Sequence, residues 1–391
     1  MAYLESKPRY EILDGLRGVA ALMVVAFHIF ERYSGGPCGQ IINHGYLAVD
    51  FFFVLSGFVV GYAYDDRWGK MTMTDFFKRR LTRLHPMLIA GGFFGLLMFY
   101  FGFCDEFSLI DKTVWWQLVA LFFVGCLMIP VTAGMDVRGW AETYPLNGPQ
   151  WSLMLEYLAN IVYAFILRRL PNIVLWLLLI VAAAATIDLG LSLNIFGTKP
   201  DEFDYTTGSF IGGWGIEGWQ WHIAVVRVSF PFLAGLLIAR YQKFITIKGG
   251  FWWCALMIII VQAIPRIGGA NPENFWQNGL YETICIIALF PLVVTIGAGS
   301  KLSGPFSQKF CKFLGDISYP IYITHYPLIY MQLSWASLHE NAPLSQQIFV
   351  GAALFLLAIF ISYALLKMYD EPVREWLKEH WLKSKKAVKA N

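Results

Sequence analysis

The chain has 391 residues, of which 57% are hydrophobic and only 15% are charged. Soluble domains carry roughly 25% charged residues, so this composition, with a mean hydropathy of +0.53, excludes an ordinary soluble protein and indicates one that crosses a membrane several times. The net charge of +3 says little by itself, and the six scattered cysteines form neither a metal motif nor a disulfide framework.

Apolar segments recur along the whole chain, and a membrane crossing needs about 20 residues. Eleven segments come close to that length, near 15–33, 47–64, 86–103, 115–131, 151–168, 172–190, 223–240, 250–265, 280–298, 317–335 and 346–366.

The charges of the loops give these segments an orientation. Basic residues gather in alternate loops and in the C-terminal tail, which the positive-inside rule places in the cytoplasm. That pattern is consistent only if segment 115–131, which begins with two tryptophans and ends at a proline, does not cross. We predict an all-α polytopic membrane protein with about ten transmembrane helices and one re-entrant or interfacial helix around an internal polar cavity. Eleven crossings are the alternative.

The same charge pattern sets the domain organisation. We expect one integral-membrane domain over 1–374 and a basic cytoplasmic tail over 375–391, with both termini in the cytoplasm. Because the basic residues follow membrane topology, no nucleic-acid partner is expected.

The first segment carries two costly polar residues, Arg17 and His28, which are eleven positions apart. In a helix this spacing is three turns plus about 20°, so both side chains share one face and lie about 16 Å apart. Neither should face lipid, and we expect both to line an internal cavity.

Polar residues also open the second and third segments. Asp50 is expected near the depth of His28, where a carboxylate can orient an imidazole; the alternative is a carboxylate that only interacts with the helix dipole. Arg80 and Arg83 are three residues apart and share a helix face. They are either a phosphate-binding mouth or ordinary positive-inside charges.

Two later segments continue the pattern. In "WSLMLEY", Ser152 and Glu156 lie four residues apart on one helix face, and an intramembrane carboxylate is a functional hypothesis by default. In "SYPIYITH", Tyr322 and His325 share a face with Ser318. The loop 191–222, rich in glycine and tryptophan, is either an ordered flap with sugar-stacking surfaces or an interfacial aromatic belt.

These motifs resemble acyltransferase family 3, the bacterial membrane O-acyltransferases, over about 10–374. The similar motifs stand in the family's order: "LDGLRGVAALMVVAFHIF" with Arg17 and His28, "VDFFFVLSGF" with Asp50 and Ser56, "FFKRRLTRLHP" with Arg80 and Arg83, "GPQWSLMLEY" with Trp151, Ser152 and Glu156, and "ISYPIYITHYP" with Ser318, Tyr319 and His325. One minor departure is Ala48, where a glycine is common nearby.

The resemblance implies transfer of an acyl group, by default acetyl, from cytoplasmic acyl-CoA to a hydroxyl of an extracytoplasmic glycan or glycolipid, without a metal. It implies His28 as general base, Asp50 or Glu156 as the group that orients it, and Arg17 as a residue that either guides the donor or stabilises charge. Arg80 and Arg83 would bind the phosphates of coenzyme A. The cavity would further hold Ser56, Trp151, Ser152, Tyr319, Tyr322 and His325.

Direct transfer is the preferred route, and Ser56 and Ser152 keep an acyl-enzyme route open. The resemblance also implies the bacterial cytoplasmic (inner) membrane, contact with membrane lipid, and proteins of polysaccharide biosynthesis as partners. The rival function is a proton-coupled transporter or exporter of a polysaccharide-related small molecule, whose intramembrane histidines and carboxylates relay protons.

Overall fold

The computed structural model describes residues 7, 9–31, 38–39, 42–101, 107–197, 207–216, 218–269 and 271–382. Every regular element in these ranges is helical, which confirms the predicted all-α class. The α-helices are α1 (Glu11–Glu31), α2 (Ala48–Tyr64), α3 (Met73–Tyr100), α4 (Trp115–Cys126), α5 (Gln150–Phe165), α6 (Asn172–Leu191), α7 (Gly218–Tyr241), α8 (Gly250–Ala263), α9 (Phe275–Ile284), α10 (Phe290–Gly299), α11 (Pro305–Thr324), α12 (Tyr326–Leu338), α13 (Leu344–Leu365) and α14 (Glu371–Leu377).

Eight helical segments of the described chain are long and apolar enough to cross a membrane, which makes this a multi-pass membrane protein. They are Glu11–Glu31, Gly45–Arg67, Met73–Tyr100, Gln150–Arg169, Asn172–Leu191, Gly218–Tyr241, Pro272–Gly299 and Leu344–Leu382. Helix α4 has only 12 residues, or about 18 Å, which is too short for a hydrocarbon core of about 30 Å. That length agrees with the segment predicted not to cross, while the count of ten crossings stays a prediction.

Two predicted boundaries were wrong. Helix α3 begins at Met73 rather than near residue 86, because Thr72 and Asp75 form a reciprocal capping box there. The predicted segment 317–335 is two helices that meet at His325. Pro327 has no N–H for the carbonyl of Ile323, and the side-chain amide of Asn147 donates to that oxygen instead, at 2.8 Å.

Close backbone contacts hold the central helices together. A Cβ atom at Gly57 of α2 would lie 2.0 Å from the carbonyl oxygen of Phe232 in α7, and one at Gly18 of α1 would lie 2.3 Å from the carbonyl oxygen of Leu314 in α11. Only glycine permits these approaches, as expected for small residues at membrane helix interfaces. The α1–α11 and α2–α7 pairs therefore form the rigid frame around the polar residues.

The C-terminal segment continues as a helix past the predicted domain boundary. Helix α14 passes into a π-helical turn that ends at Leu382, and the Lys78 ammonium lies 5.5 Å from the ring centre of Trp381. The division at 374/375 stays a prediction, and residues 383–391 lie outside the described part of the chain.

Candidate active site

A cavity of about 410 Å³ lies at the C-terminal end of α1, between the starts of α2 and α5 and the middle of α7. Two loop segments, within 127–149 and 207–216, form the rest of its wall together with Tyr46, Tyr322 of α11 and Tyr326 of α12. The lining residues are Val24, Phe27, His28, Glu31, Tyr46, Val49, Trp140, Glu142, Gly148, Pro149, Trp151, Ile211, Gly212, Trp214, Arg227, Tyr322 and Tyr326. We call it the His28 cavity.

His28 has a carboxylate partner one helical turn away. Its Nδ1 lies 3.0 Å from Oε2 of Glu31, and both side chains line the cavity. An imidazole that donates from Nδ1 keeps the lone pair on Nε2, and Nε2 has no hydrogen-bond partner among the described residues. The pair is therefore arranged as a base with an orienting carboxylate.

His325 packs behind His28 and does not line the cavity. The two rings stack with their centres 5.6 Å apart, and His325 is fully buried. Its Nδ1 lies 2.8 Å from the carbonyl oxygen of Tyr322 and 3.0 Å from that of Ile321, so Nδ1 carries the proton. Backbone carbonyls thus fix the ring that supports the base.

Two of the predicted cavity residues, Trp151 and Tyr322, line the wall. The hydroxyl groups of Ser152 and Tyr322 lie 2.7 Å apart, and Ser152 also donates to the carbonyl oxygen of Pro149 at 3.0 Å. Ser152 therefore holds Tyr322 in place from behind the cavity surface.

Asp50 does not lie against His28 as expected. It is fully buried and binds Arg227 of α7, whose Nη2 lies 2.7 Å from Oδ2. The same guanidinium donates to the backbone oxygens of Tyr46 and Gly212. A buried carboxylate needs a paired charge, and the α2–α7 contact supplies Arg227 where the sequence prediction had supplied His28.

A second polar group lies nearer the N-terminal end of α1. Arg17 donates from Nε to the hydroxyl of Ser318 at 2.8 Å and lies 3.6 Å from Asp14. It therefore links α1 to α11, and it does not line the His28 cavity.

Glu156 and Ser56 also belong to this second group. Arg80 contacts Glu156 at 2.5 Å, and Ser56 donates to the same carboxylate at 3.0 Å. Glu156 thus contacts Arg80 rather than His28. The Arg80 side chain is only 4% exposed and is engaged in this ion pair.

Arg83, in contrast to Arg80, is not engaged in an ion pair with a described residue. It is half-buried, lies within electrostatic range of Arg17 and Arg80, and makes no hydrogen bond or ion pair with any residue that the structure describes. Tyr319, also predicted in the cavity, instead donates to the carbonyl oxygen of Leu84 at 2.6 Å.

Sequence reasoning missed several residues of the site. Glu31 lies three positions after His28, and Arg227 is an arginine inside an apolar segment. Helix spacing and an intramembrane charge could therefore have identified both residues from the sequence. Glu142, Trp140 and Trp214 lie in loops without periodicity, and only the fold brings them to the cavity.

The glycine- and tryptophan-rich loop is ordered over 207–216. Its Ile211, Gly212 and Trp214 line the cavity, and Thr143 donates to the carbonyl oxygen of Trp214 through its backbone N–H at 3.0 Å. This part of the loop matches the flap alternative, whereas 198–206 and 217 lie outside the described residues.

These features define a multi-pass membrane protein with a histidine–carboxylate pair that lines a cavity. A family model described as an acyltransferase domain matches residues 10–367. The chain belongs to this family, acyltransferase family 3, and is an integral-membrane acyltransferase, as its motifs predicted.

Curated relatives agree with this assignment. The chain is 31% identical over 340 residues to acyltransferase MdmB of Streptomyces mycarofaciens, covering 82% of this chain and 79% of that protein. It is 25% identical over 331 residues to O-acetyltransferase OatA of Staphylococcus aureus, covering 82% of this chain but about half, 51%, of that protein. It is also 34% identical over 169 residues to protein 2 in the picA locus of Rhizobium radiobacter, covering 40% of this chain and 81% of that protein. No solved structure matches the chain.

Proposed function

We propose that this acyltransferase is an O-acetyltransferase of the bacterial inner membrane. It moves an acetyl group from cytoplasmic acetyl-CoA to a hydroxyl of a glycan or glycolipid on the far side, with both termini in the cytoplasm. The observation that carries the proposal is the His28–Glu31 pair at a cavity, with an Nε2 that no described residue engages. The name of the relative OatA supports an acetyl group, and the basic loops support the orientation.

The chemistry needs a base for the acceptor hydroxyl. Nε2 of His28 removes the proton of that hydroxyl as its oxygen attacks the thioester carbonyl carbon. The carbon–sulfur bond of the tetrahedral intermediate then breaks, and the imidazolium returns the proton to the departing thiolate. Glu31 stabilises the imidazolium and holds its ring in the productive tautomer.

Direct transfer is better supported than an acyl-enzyme route. A serine nucleophile needs an adjacent base. The Ser56 hydroxyl donates to Glu156 and the Ser152 hydroxyl contacts Tyr322, so neither is paired with His28. The acceptor oxygen itself is then the nucleophile.

Arg83 is the better candidate for the phosphates of the donor. Its guanidinium is uncommitted among the described residues, whereas Arg80 neutralises Glu156. Guanidinium groups bind phosphates through paired hydrogen bonds. Arg17, held by Ser318, positions α1 at this end and adds positive potential beside Arg83.

The proposal is tested in the host by removing the gene and comparing surface glycans by mass spectrometry. An ester-linked acetyl mass should disappear without the gene and return with a plasmid copy. Identical acetylation in the two strains would contradict the proposed function.

A further inference from the structure

Two loops supply part of the wall of the His28 cavity. Trp140 and Glu142 lie on the first loop and Trp214 on the second. An Asx-type network fixes the first loop, since Asp136 accepts the backbone N–H groups of Arg138, Gly139 and Ala141. The first loop is therefore held in place before a ligand binds, and it presents Trp140 and Glu142 on a preformed surface.

Glu142 is 6% exposed and has one committed oxygen. The hydroxyl of Tyr330 donates to Oε2 at 3.1 Å. Oε1 has no hydrogen-bond partner in the described chain, and Glu142 lines the cavity. Oε1 is therefore accessible from the cavity and can accept a hydrogen bond from a donor group of a ligand.

Gly148 packs closely against Oε1 of Glu142 and the ring of Tyr326. A Cβ atom at Gly148 would lie 3.0 Å from Oε1 of Glu142 and 2.9 Å from the ring of Tyr326. Tyr326 also packs edge-on against His28, with ring centres 4.9 Å apart. Oε1 of Glu142 and the His28 ring thus both lie near the ring of Tyr326.

Among the described residues that line this cavity, the charge that is not neutralised by a partner is negative. Glu31 and Glu142 are the carboxyl groups among the described lining residues; Glu142 becomes charged as pH rises through about 7, and the lining cation Arg227 is neutralised by Asp50. Arg138 lies behind the lining, 3.2 Å from the centre of the Tyr330 ring, and its positive charge partly offsets that of Glu142. An acceptor with its own carboxylate or phosphate would place a second negative charge beside Glu31 and Glu142, which disfavours its binding.

We propose that the acceptor is a sugar residue without negative charge, and that Glu142 determines this specificity. Oε1 accepts a hydrogen bond from an acceptor hydroxyl or amine, while Trp140 and Trp214 pack against the apolar faces of the ring. A neighbouring hydroxyl of the same sugar then lies beside Nε2 of His28, which removes its proton. This inference rests on the proposed function, because it assigns the acceptor of the same site.

The test uses the full-length protein in proteoliposomes with ¹³C-labelled acetyl-CoA, and a glycan and glycolipid extract from a host that lacks the gene. Fragmentation mass spectrometry locates the labelled ester on individual sugar residues. The ester should lie on residues that carry no carboxylate, phosphate or sulfate. An ester on an acidic residue overturns the inference but leaves the proposed function standing, whereas no labelled ester at all overturns the proposed function.

Variants test the role of Glu142 itself. Glu142→Gln should raise the KM for the extracted acceptor at least tenfold while leaving the KM for acetyl-CoA unchanged. The matched control is Glu340→Gln, an exposed carboxylate outside the cavity, which should match the wild type. An unchanged acceptor KM in a correctly inserted Glu142→Gln protein, or an equal rise in both KM values, would overturn the assignment.

Discussion

Nδ1 of His28 lies 3.0 Å from Oε2 of Glu31, one turn further along the same helix. Because both residues belong to α1, their geometry depends on one helix rather than on the packing of two. The carboxylates that the sequence offered for this role are engaged elsewhere, Asp50 with Arg227 and Glu156 with Arg80. The His28–Glu31 pair is therefore positioned by α1 alone, and the other helices and the loops form the cavity around it.

Glu31→Gln should lower kcat by at least about tenfold and leave the KM for acetyl-CoA nearly unchanged. The amide still occupies the space but does not stabilise an imidazolium, and orienting carboxylates matter mainly when the histidine becomes charged. Steady-state kinetics in proteoliposomes measure both constants. A kcat within twofold of the wild type would show that His28 does not depend on Glu31.

Arg83→Ala should raise the KM for acetyl-CoA by about tenfold with little loss of thermal stability, because its guanidinium has no partner in the described chain. Arg80→Ala should lower stability, because it leaves the Glu156 carboxylate without its cation. Kinetics and melting temperature in detergent separate the two effects. The opposite pattern would assign donor binding to Arg80.

The Asp50–Arg227 pair should be a large contributor to stability. Removing one partner of a buried ion pair costs about 3–5 kcal/mol, since the remaining charge stays buried. Arg227→Met should therefore lower the melting temperature in detergent strongly, and the double variant with Asp50→Asn should recover part of the loss. A double variant no more stable than Arg227→Met would argue against a charge-based contribution.

Burial raises the pKa of Glu142 to about 7 from its ordinary 4.5, and Arg138 only partly opposes this shift. A carboxyl with a raised folded-state pKa contributes stability that is present below pH 4.5 and is lost as pH rises through about 7. Glu142→Gln should thus gain about 1–3 kcal/mol relative to the wild type between pH 5 and pH 8. Melting curves of the variant and the wild type at pH 5 and pH 8 test this prediction. A stability difference that does not change with pH would contradict the raised pKa of Glu142.

Gly57→Ala should weaken the α2–α7 contact, because the new methyl group would lie 2.0 Å from the carbonyl oxygen of Phe232. Backbone must move to relieve that contact, so we expect a lower melting temperature and lower yield. Gly69→Ala is the matched control, since no atom lies within 4 Å of a Cβ there. Equal behaviour of the two variants would contradict the close approach.

The helices and the polar character of the interior follow from sequence because both rest on local patterns. Hydropathy located the segments, and the eleven-residue spacing put Arg17 and His28 on one face of α1. Depth along a single helix is predictable in the same way, so Arg17 and His28 fall at opposite ends of the interior.

Partners across helices did not follow from sequence. Asp50 and His28 were matched by depth alone, but rotation about the helix axis decides contacts, and α2 turns Asp50 toward Arg227. Glu142 reaches the cavity through a loop held by Asp136, and no periodic signal reports such a loop. Residues of this kind become visible only when the chain is folded.

The central claim is that His28 acts as the base when an acetyl group passes from cytoplasmic acetyl-CoA to a glycan hydroxyl on the far side of the membrane. The most direct measurement encloses labelled acetyl-CoA in right-side-out vesicles and follows label on glycan outside, for wild type, His28→Ala and the exposed control His339→Ala. Label should appear with wild type and His339→Ala, and fall by at least about a hundredfold with His28→Ala at equal membrane insertion. Normal transfer by correctly inserted His28→Ala would contradict the account.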